Sequence, residues 1–427
     1  MHRNSLGVVV LTFLATAPLQ AAVLVSENFD TTDPTTRGWT LSGGAASDWT
    51  TSQYLSPGHS IHTASGAIWQ SPQFNVTPYN YYQLAFDSLS QGKEYWYSRY
   101  FNSGGGEFAA DTYASIMPST TWKNNSVVFR GRPGATASSL GNTTASVSFA
   151  AGGNTYIDNV KVSPVTHAQV AAWNDSLYAT MPKAVSYTPP ANKFQYIPKF
   201  IQKLQTGQTV RIVMLGDSII NDTNNSSFET LVERQYPGAK IEVVPAVRGS
   251  TGMTYYKDNN RVTSYVTDYQ PDLVMLGGIS NFSPGEAVVT VMSDFTSVMD
   301  QIRSIMGANA PEMMLMSDTV FLADNNTDPV AYRAALSNLA GTQNAAYIDM
   351  RAPWDNYMAN LPGGWTVDTF HRDYIHANDY GKQILGRTLE SFFAPVPEPT
   401  STVLIGTTML TFLLRRRRHE DAAVVRP

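Results

Sequence analysis

The sequence contains no cysteine. That excludes a thiol nucleophile, a disulfide framework and thiolate metal sites. It is compatible with an oxidising compartment, where nothing can mispair. Charge is also scarce, at 15% of residues against 43% hydrophobic and 11% aromatic. An excess of basic charge is missing: the formal charge is −5. Both ends are arginine-weighted, so the stretch between them is more acidic still, which argues against a nucleic-acid partner. Histidine is rare, with seven in 427 residues. Asn, Thr, Ser and Gly are abundant instead, as in loop-rich extracytoplasmic proteins. The length suggests more than one domain.

The two ends read as addresses. MHRNSLGVVVLTFLATAPLQAA has a basic start, an apolar run from Leu6 to Ala15, then Pro18 and small residues. This is the layout of a secretory signal peptide over 1–22, with cleavage expected near Ala21 or Ala22. The run is short for a membrane of ~30 Å hydrocarbon thickness. Near the other end, Val396-Pro397-Glu398-Pro399 precedes an apolar segment, Thr402 to Leu414, and then Arg415 to Arg418. These three parts, over 395–420, resemble the PEP-CTERM sorting signal of Gram-negative, exopolysaccharide-producing bacteria. The resemblance implies processing by an exosortase-type membrane transpeptidase, transient membrane contact through this segment, and a final place at the cell surface or in the extracellular matrix. A plain C-terminal anchor with cytoplasmic arginines is the alternative.

Between the ends the pattern changes once. Residues 23–164 lack strong helical periodicity. Short alternating stretches such as YQLAFDSLS, NSVVFRG and ASVSFAAG are separated by Gly, Asn, Pro and Ser clusters. This predicts an all-β sandwich. The opening NFDTTDPTTRGWT and the closing Tyr156 to Val162 resemble jelly-roll modules of the carbohydrate-binding type. Trp39, Trp49, Trp69 and Trp96, with Tyr79, Tyr81, Tyr82, Tyr95, Tyr97 and Tyr100, are either core residues or sugar-stacking platforms. Asp158 is a lone candidate for a structural calcium ligand. Residues 165–208 read as a linker with short helices in HAQVAAWNDSLYATM and PKFIQKLQTGQ, the second ended by Gly207. From 209 to 394, strands alternate with amphipathic helices. FETLVERQY carries Phe228, Leu231, Val232 and Tyr236 on one face. This predicts an α/β unit with a parallel sheet covered on both faces.

In such sheets, sites lie outside the carboxyl ends of the strands. Four of these ends carry small or polar residues: Gly216-Asp217-Ser218, Gly249-Ser250-Thr251-Gly252, Gly277 to Asn281, and the late loop Asp373-Tyr374-Ile375-His376. Ser218 is either a nucleophile or a helix cap. A hydroxyl needs a positioned base. Only His371 and His376 fall in the α/β half, and His376 has an aspartate three residues before it. That spacing lets Asp373 orient the imidazole from the same loop.

The order and content of the four blocks resemble the SGNH, or GDSL, hydrolase family over residues 209–394. The resemblance implies a flavodoxin-like three-layer parallel sheet, a Ser218–His376–Asp373 triad and no cofactor. It also implies three oxyanion donors: the N–H groups of Ser218 and Gly252, and the side chain of Asn281. Gly249 is a rival for Gly252, because RGSTGMT offers both. The third block departs from the family pattern Gly-x-Asn-Asp, being one residue longer, so Ser280 competes with Asn281. Asp217 reads as a structural residue of the turn. The expected function is a secreted serine esterase acting on O-acyl groups of polysaccharide. A lipase or thioesterase, an acyltransferase using the same triad, and a non-catalytic surface carbohydrate-binding protein are the alternatives.

Overall fold

Alternation of buried and less buried residues marks strands of the first half. In strand Glu94–Phe101, Glu94, Trp96, Ser98 and Tyr100 are buried, while Tyr95, Tyr97 and Arg99 are half-buried. That is the period of two of a pleated strand with one face inward. Strands of this kind form two antiparallel six-stranded sheets in the computed structural model. The structure describes residues 22–396, apart from 46–47, 65, 91, 115–118, 135–142, 152, 279–286 and 320–328. The expected signal segment up to Ala21 and the sorting segment from Pro397 lie outside the described residues.

One sheet runs Ser119–Arg130, Tyr81–Ser90, Thr155–Val165, Ser60–Thr63, Trp49–Thr50, with Val25–Glu27 also on Thr155–Val165. The other runs Thr40–Ser42, Ile68–Gln70, Thr143–Ala151, Glu94–Phe101, Glu107–Ala114, with Phe74–Val76 beside Thr143–Ala151. Glu107–Ala114 is an edge strand. The sheets share one core in which Trp69, Trp96, Phe86, Phe129 and Phe149 are fully buried. Each such side chain contributes roughly 1.5–3 kcal/mol. Most of the aromatic candidates therefore serve packing. Trp49, Tyr95 and Tyr97 are the half-buried ones, and Trp49 stacks on His59 at 4.1 Å. Asp158 is buried, and its carboxylate accepts from the N–H groups of Leu55, Ser56 and Asn159 and the hydroxyl of Ser56. Its oxygens are thus committed to a turn.

The second half is a five-stranded parallel sheet ordered Lys240–Val247, Thr209–Gly216, Leu273–Leu276, Glu312–Met316, Ala346–Ile348. In chain order this is 2-1-3-4-5, a doubly wound arrangement whose strand order reverses beside the first strand. Val210, Ile212 and Met214 enter the core on one face, and Val213 and Leu215 that on the other. Helices cover both faces, which is why these strands read as nearly continuous apolar runs.

The segment 165–208 is not a free tether. It forms helices His167–Ala179 and Pro198–Gln205, and Phe200, Ile201 and Leu204 of the second are buried in the α/β core. Thr166 and Gln169 close the first helix with a capping box.

Candidate active site

Strand Thr209–Gly216 ends in a turn that leads directly into helix Ser218–Asn224. Asp217 caps that helix: its Oδ1 accepts from the N–H groups of Ile219 and Ile220 at 2.9 and 3.2 Å. The aspartate takes the capping role, so the serine does not need it. Ser218 is half-buried at the first helical position. There its own N–H has no helical carbonyl to bond.

The neighbouring strand ends crowd around this turn. Gly277 N–H donates to Leu215 O, and Arg248 N–H to Gly216 O, both at 3.0 Å. Gly278 has φ +92°, and a Cβ there would lie 3.0 Å from Asp217 N. Only glycine fits such a backbone without strain. Gly278 N–H donates to Asp318 Oδ1 at 3.1 Å.

The fourth chain segment arrives from far along the sequence. His376 Nε2 lies 2.8 Å from Ser218 Oγ, across 158 positions. His376 Nδ1 lies 2.7 Å from Asp373 Oδ2. The other carboxylate oxygen of Asp373 accepts from the N–H groups of Ile375 and His376 at 2.9 and 2.8 Å. Burial raises the Asp373 pKa, but the His376 ring and these two backbone donors outweigh it. The carboxyl is held well below the usual carboxylate range. A hydroxyl, an imidazole and an ionised carboxylate therefore stand in one hydrogen-bonded row. This geometry permits the imidazole to take a proton from the serine while the carboxylate orients it.

His371 is elsewhere. It is buried beside Trp354, with Nδ1 facing Val367 O at 3.1 Å, and burial lowers its pKa. Gly249 is close to the serine: a Cβ built on it would lie 4.0 Å from Ser218 Cβ. Gly252 directly precedes the short helix Met253–Tyr256. Ser280 and Asn281 lie outside the described residues.

Ser218 and His376 open onto a cleft of about 520 Å³. Its second wall comes from the β-unit, through Phe108, Ala110 and Thr112 of the edge strand and through Arg132. Two further groups support the row. Asp222, one turn beyond Ser218, is buried; it accepts from Arg372 and, at 2.8 Å, from the Ala377 N–H. Arg372 stays firmly protonated: burial works against its charge, and Asp222 outweighs that. The helix that starts at Ser218 and the histidine loop are thus tied to each other. From the β-unit, Tyr95 Oη donates to Arg372 O at 3.2 Å, and Lys93 Nζ to His371 O and Arg372 O at 3.3 Å. Sequence reasoning missed Asp222, Arg372 and all of the β-unit contribution. Asp222 carried a signal, since it stands at i+4 from Ser218 on a helix. The β-unit residues carried none.

No family profile matches the chain, and no curated protein matches it. Solved structures do resemble it. A two-domain esterase described as active on acetylated mannans is 17% identical, with a TM-score of 0.37, over 48% of this chain and 57% of that one. This chain thus spans just over half the length of that structure. Axe2, an acetylxylan esterase from Geobacillus stearothermophilus, is 15% identical, with a TM-score of 0.35, over 44% of this chain and 95% of that one. An active-site mutant of a family two carbohydrate esterase from Clostridium thermocellum is 10% identical, with a TM-score of 0.30, over 83% and 97%. At such identities and scores the likeness speaks for neither activity nor substrate.

Proposed function

We propose that the protein is a serine esterase of the SGNH hydrolase type that removes O-acyl, in the first place O-acetyl, groups from polysaccharide. The observation that carries this reading is the Ser218–His376–Asp373 row, with gaps of 2.8 and 2.7 Å, at the carboxyl edge of a parallel sheet. Ser218 Oγ attacks the ester carbonyl as His376 Nε2 takes its proton. The protonated ring, oriented by Asp373, then gives that proton to the leaving sugar oxygen. Water, deprotonated by the same ring, releases the acid from the acyl-serine.

The developing oxyanion needs fixed donors, each worth roughly 3 kcal/mol. The Ser218 N–H is one. Gly252 and its rival Gly249 are the candidates for the second, and a Cβ built on Gly249 would lie 4.0 Å from Ser218 Cβ. Asn281 remains the proposed third.

Polysaccharide as substrate fits an open cleft with Arg132, Arg372, Asn221 and Ser264 among its lining residues. We read the β-unit as a jelly-roll module of carbohydrate-binding ancestry, and the two ends as export and surface-sorting signals. On that reading the enzyme works outside the cell, where acetylated glycans are met. Ser218→Ala should abolish release of p-nitrophenol from its acetate ester and of acetate from acetylated polysaccharides. Activity retained by that variant excludes the mechanism.

A further inference from the structure

The helix that starts at Ser218 is seven residues long, too short to hold its place by its own hydrogen bonds. On one side Asp222 ties it to the histidine loop. On the other side the β-unit grips it. Arg132 and Asp111, 7% and 1% exposed, form a two-point ion pair, with Nε to Oδ2 at 2.9 Å and Nη2 to Oδ1 as the second contact. Both partners also hold Asn221, one turn beyond Ser218. Arg132 Nη2 donates to Asn221 Oδ1 at 2.8 Å, and Asn221 Nδ2 donates to Asp111 Oδ1 at 3.0 Å. Asn225 Nδ2 adds a third contact to Asp111 Oδ1 at 3.0 Å.

The amide of Asn221 is therefore clamped by its oxygen and its nitrogen at once, which sets its orientation and the rotation of the helix face it shares with the serine. A buried ion pair is a poor device for stability, because desolvation offsets the attraction; fixing register is its best-attested use. Asp111 stays ionised at neutral pH: burial raises its pKa, but Arg132 and the two amides bring it down to about 2.

We propose that Arg132 and Asp111, acting through Asn221, are positioning residues that keep Ser218 in line with His376, so that the catalytic row is complete only with the β-unit docked. This rests on Ser218 being the nucleophile. An error of about 1 Å in such placement can cost on the order of 100-fold in rate.

The test uses the full chain and p-nitrophenyl acetate, a substrate too small to depend on the cleft wall. Asn221→Ala removes the clamped amide and leaves the ion pair compensated, so the fold is kept. Arg132→Met removes the grip from the other side, and Arg132→Lys restores part of it. Trp173→Phe is the control, since Trp173 Nε1 bonds Ser126 O at 2.8 Å, between the connecting helix and the β-unit, and takes no part in the cleft. The expected result is a fall in kcat on the order of 10- to 100-fold for Asn221→Ala and Arg132→Met, with KM changed by less than about threefold and partial rescue by lysine. Trp173→Phe should keep its kcat. A folded Asn221→Ala protein with wild-type kcat overturns the proposal, even where Arg132→Met fails to fold. Ser218→Ala is run in parallel: if it stays active, the nucleophile reading has failed, whereas an inactive Ser218→Ala beside a fully active Asn221→Ala sinks the positioning role alone.

Discussion

Asp373 shows how much of the proposed chemistry resides in one side chain. Its carboxylate takes two backbone N–H groups on one oxygen and the His376 ring on the other. Replacing it by asparagine exchanges an acceptor for an amide and disturbs the ring's tautomer. Asp373→Asn should therefore keep the fold and lower kcat on p-nitrophenyl acetate by on the order of 10³–10⁴-fold. The pH dependence follows from the depressed pKa. A group depressed in the folded state lends stability above its unfolded pKa, about 3.9, and that stability is lost as pH falls below it. Asp373 should thus contribute no loss of stability or activity between pH 7 and 5, checked by thermal melts and initial rates across that window. This residue was legible from Asp-x-x-His spacing alone, because a loop of three residues leaves few other ways to place the two groups.

Helix Ser218–Asn224 and the loop before helix Asp379–Phe393 are joined at Asp222, which accepts from Arg372 and from the Ala377 N–H. Asp222 and Arg372 are 2% and 7% exposed. Arg372→Met would leave Asp222 uncompensated, and removal of one partner of a buried pair costs roughly 3–5 kcal/mol. The expected outcome is a clear drop in melting temperature with an accompanying loss of activity, measured by calorimetry and esterase assay on the same sample. A melting temperature equal to wild type would contradict it. A helix after this turn was legible, since Ser218 reads as a nucleophile or a helix cap and Asp217 as a structural residue of the turn; the structure gives the cap to Asp217. Its partner was not: nothing in a local pattern says that an arginine 150 positions later will fill the space beside Asp222.

At the scale of the molecule, the interface is polar where it matters. Glu229 is buried in the α/β unit and paired by Arg130 of the β-unit, and Tyr81 Oη donates to it at 2.6 Å. His167, in the connecting helix, spans Glu233 at 2.7 Å and Tyr79 O at 3.1 Å. Each half supplies the counter-charge of the other, so separation would strand ionised groups at a face built to be dry. The whole chain should unfold in one cooperative transition in scanning calorimetry. Two resolved transitions would show that the halves fold independently.

The sequence by itself determined the candidates for the proposed chemistry. A serine on a strand-ending turn, one histidine with an aspartate three residues ahead, and period-two and period-3.6 patterning are local features, and local sterics enforce them. Tertiary structure decided the rest. It brought Ser218 and His376 within 2.8 Å, and made a wall of the cleft from a unit that reads in sequence as a separate module. Those outcomes depend on how apolar faces dock, and docking is governed by summed contact area and charge pairing across the whole chain, which no short window of residues contains.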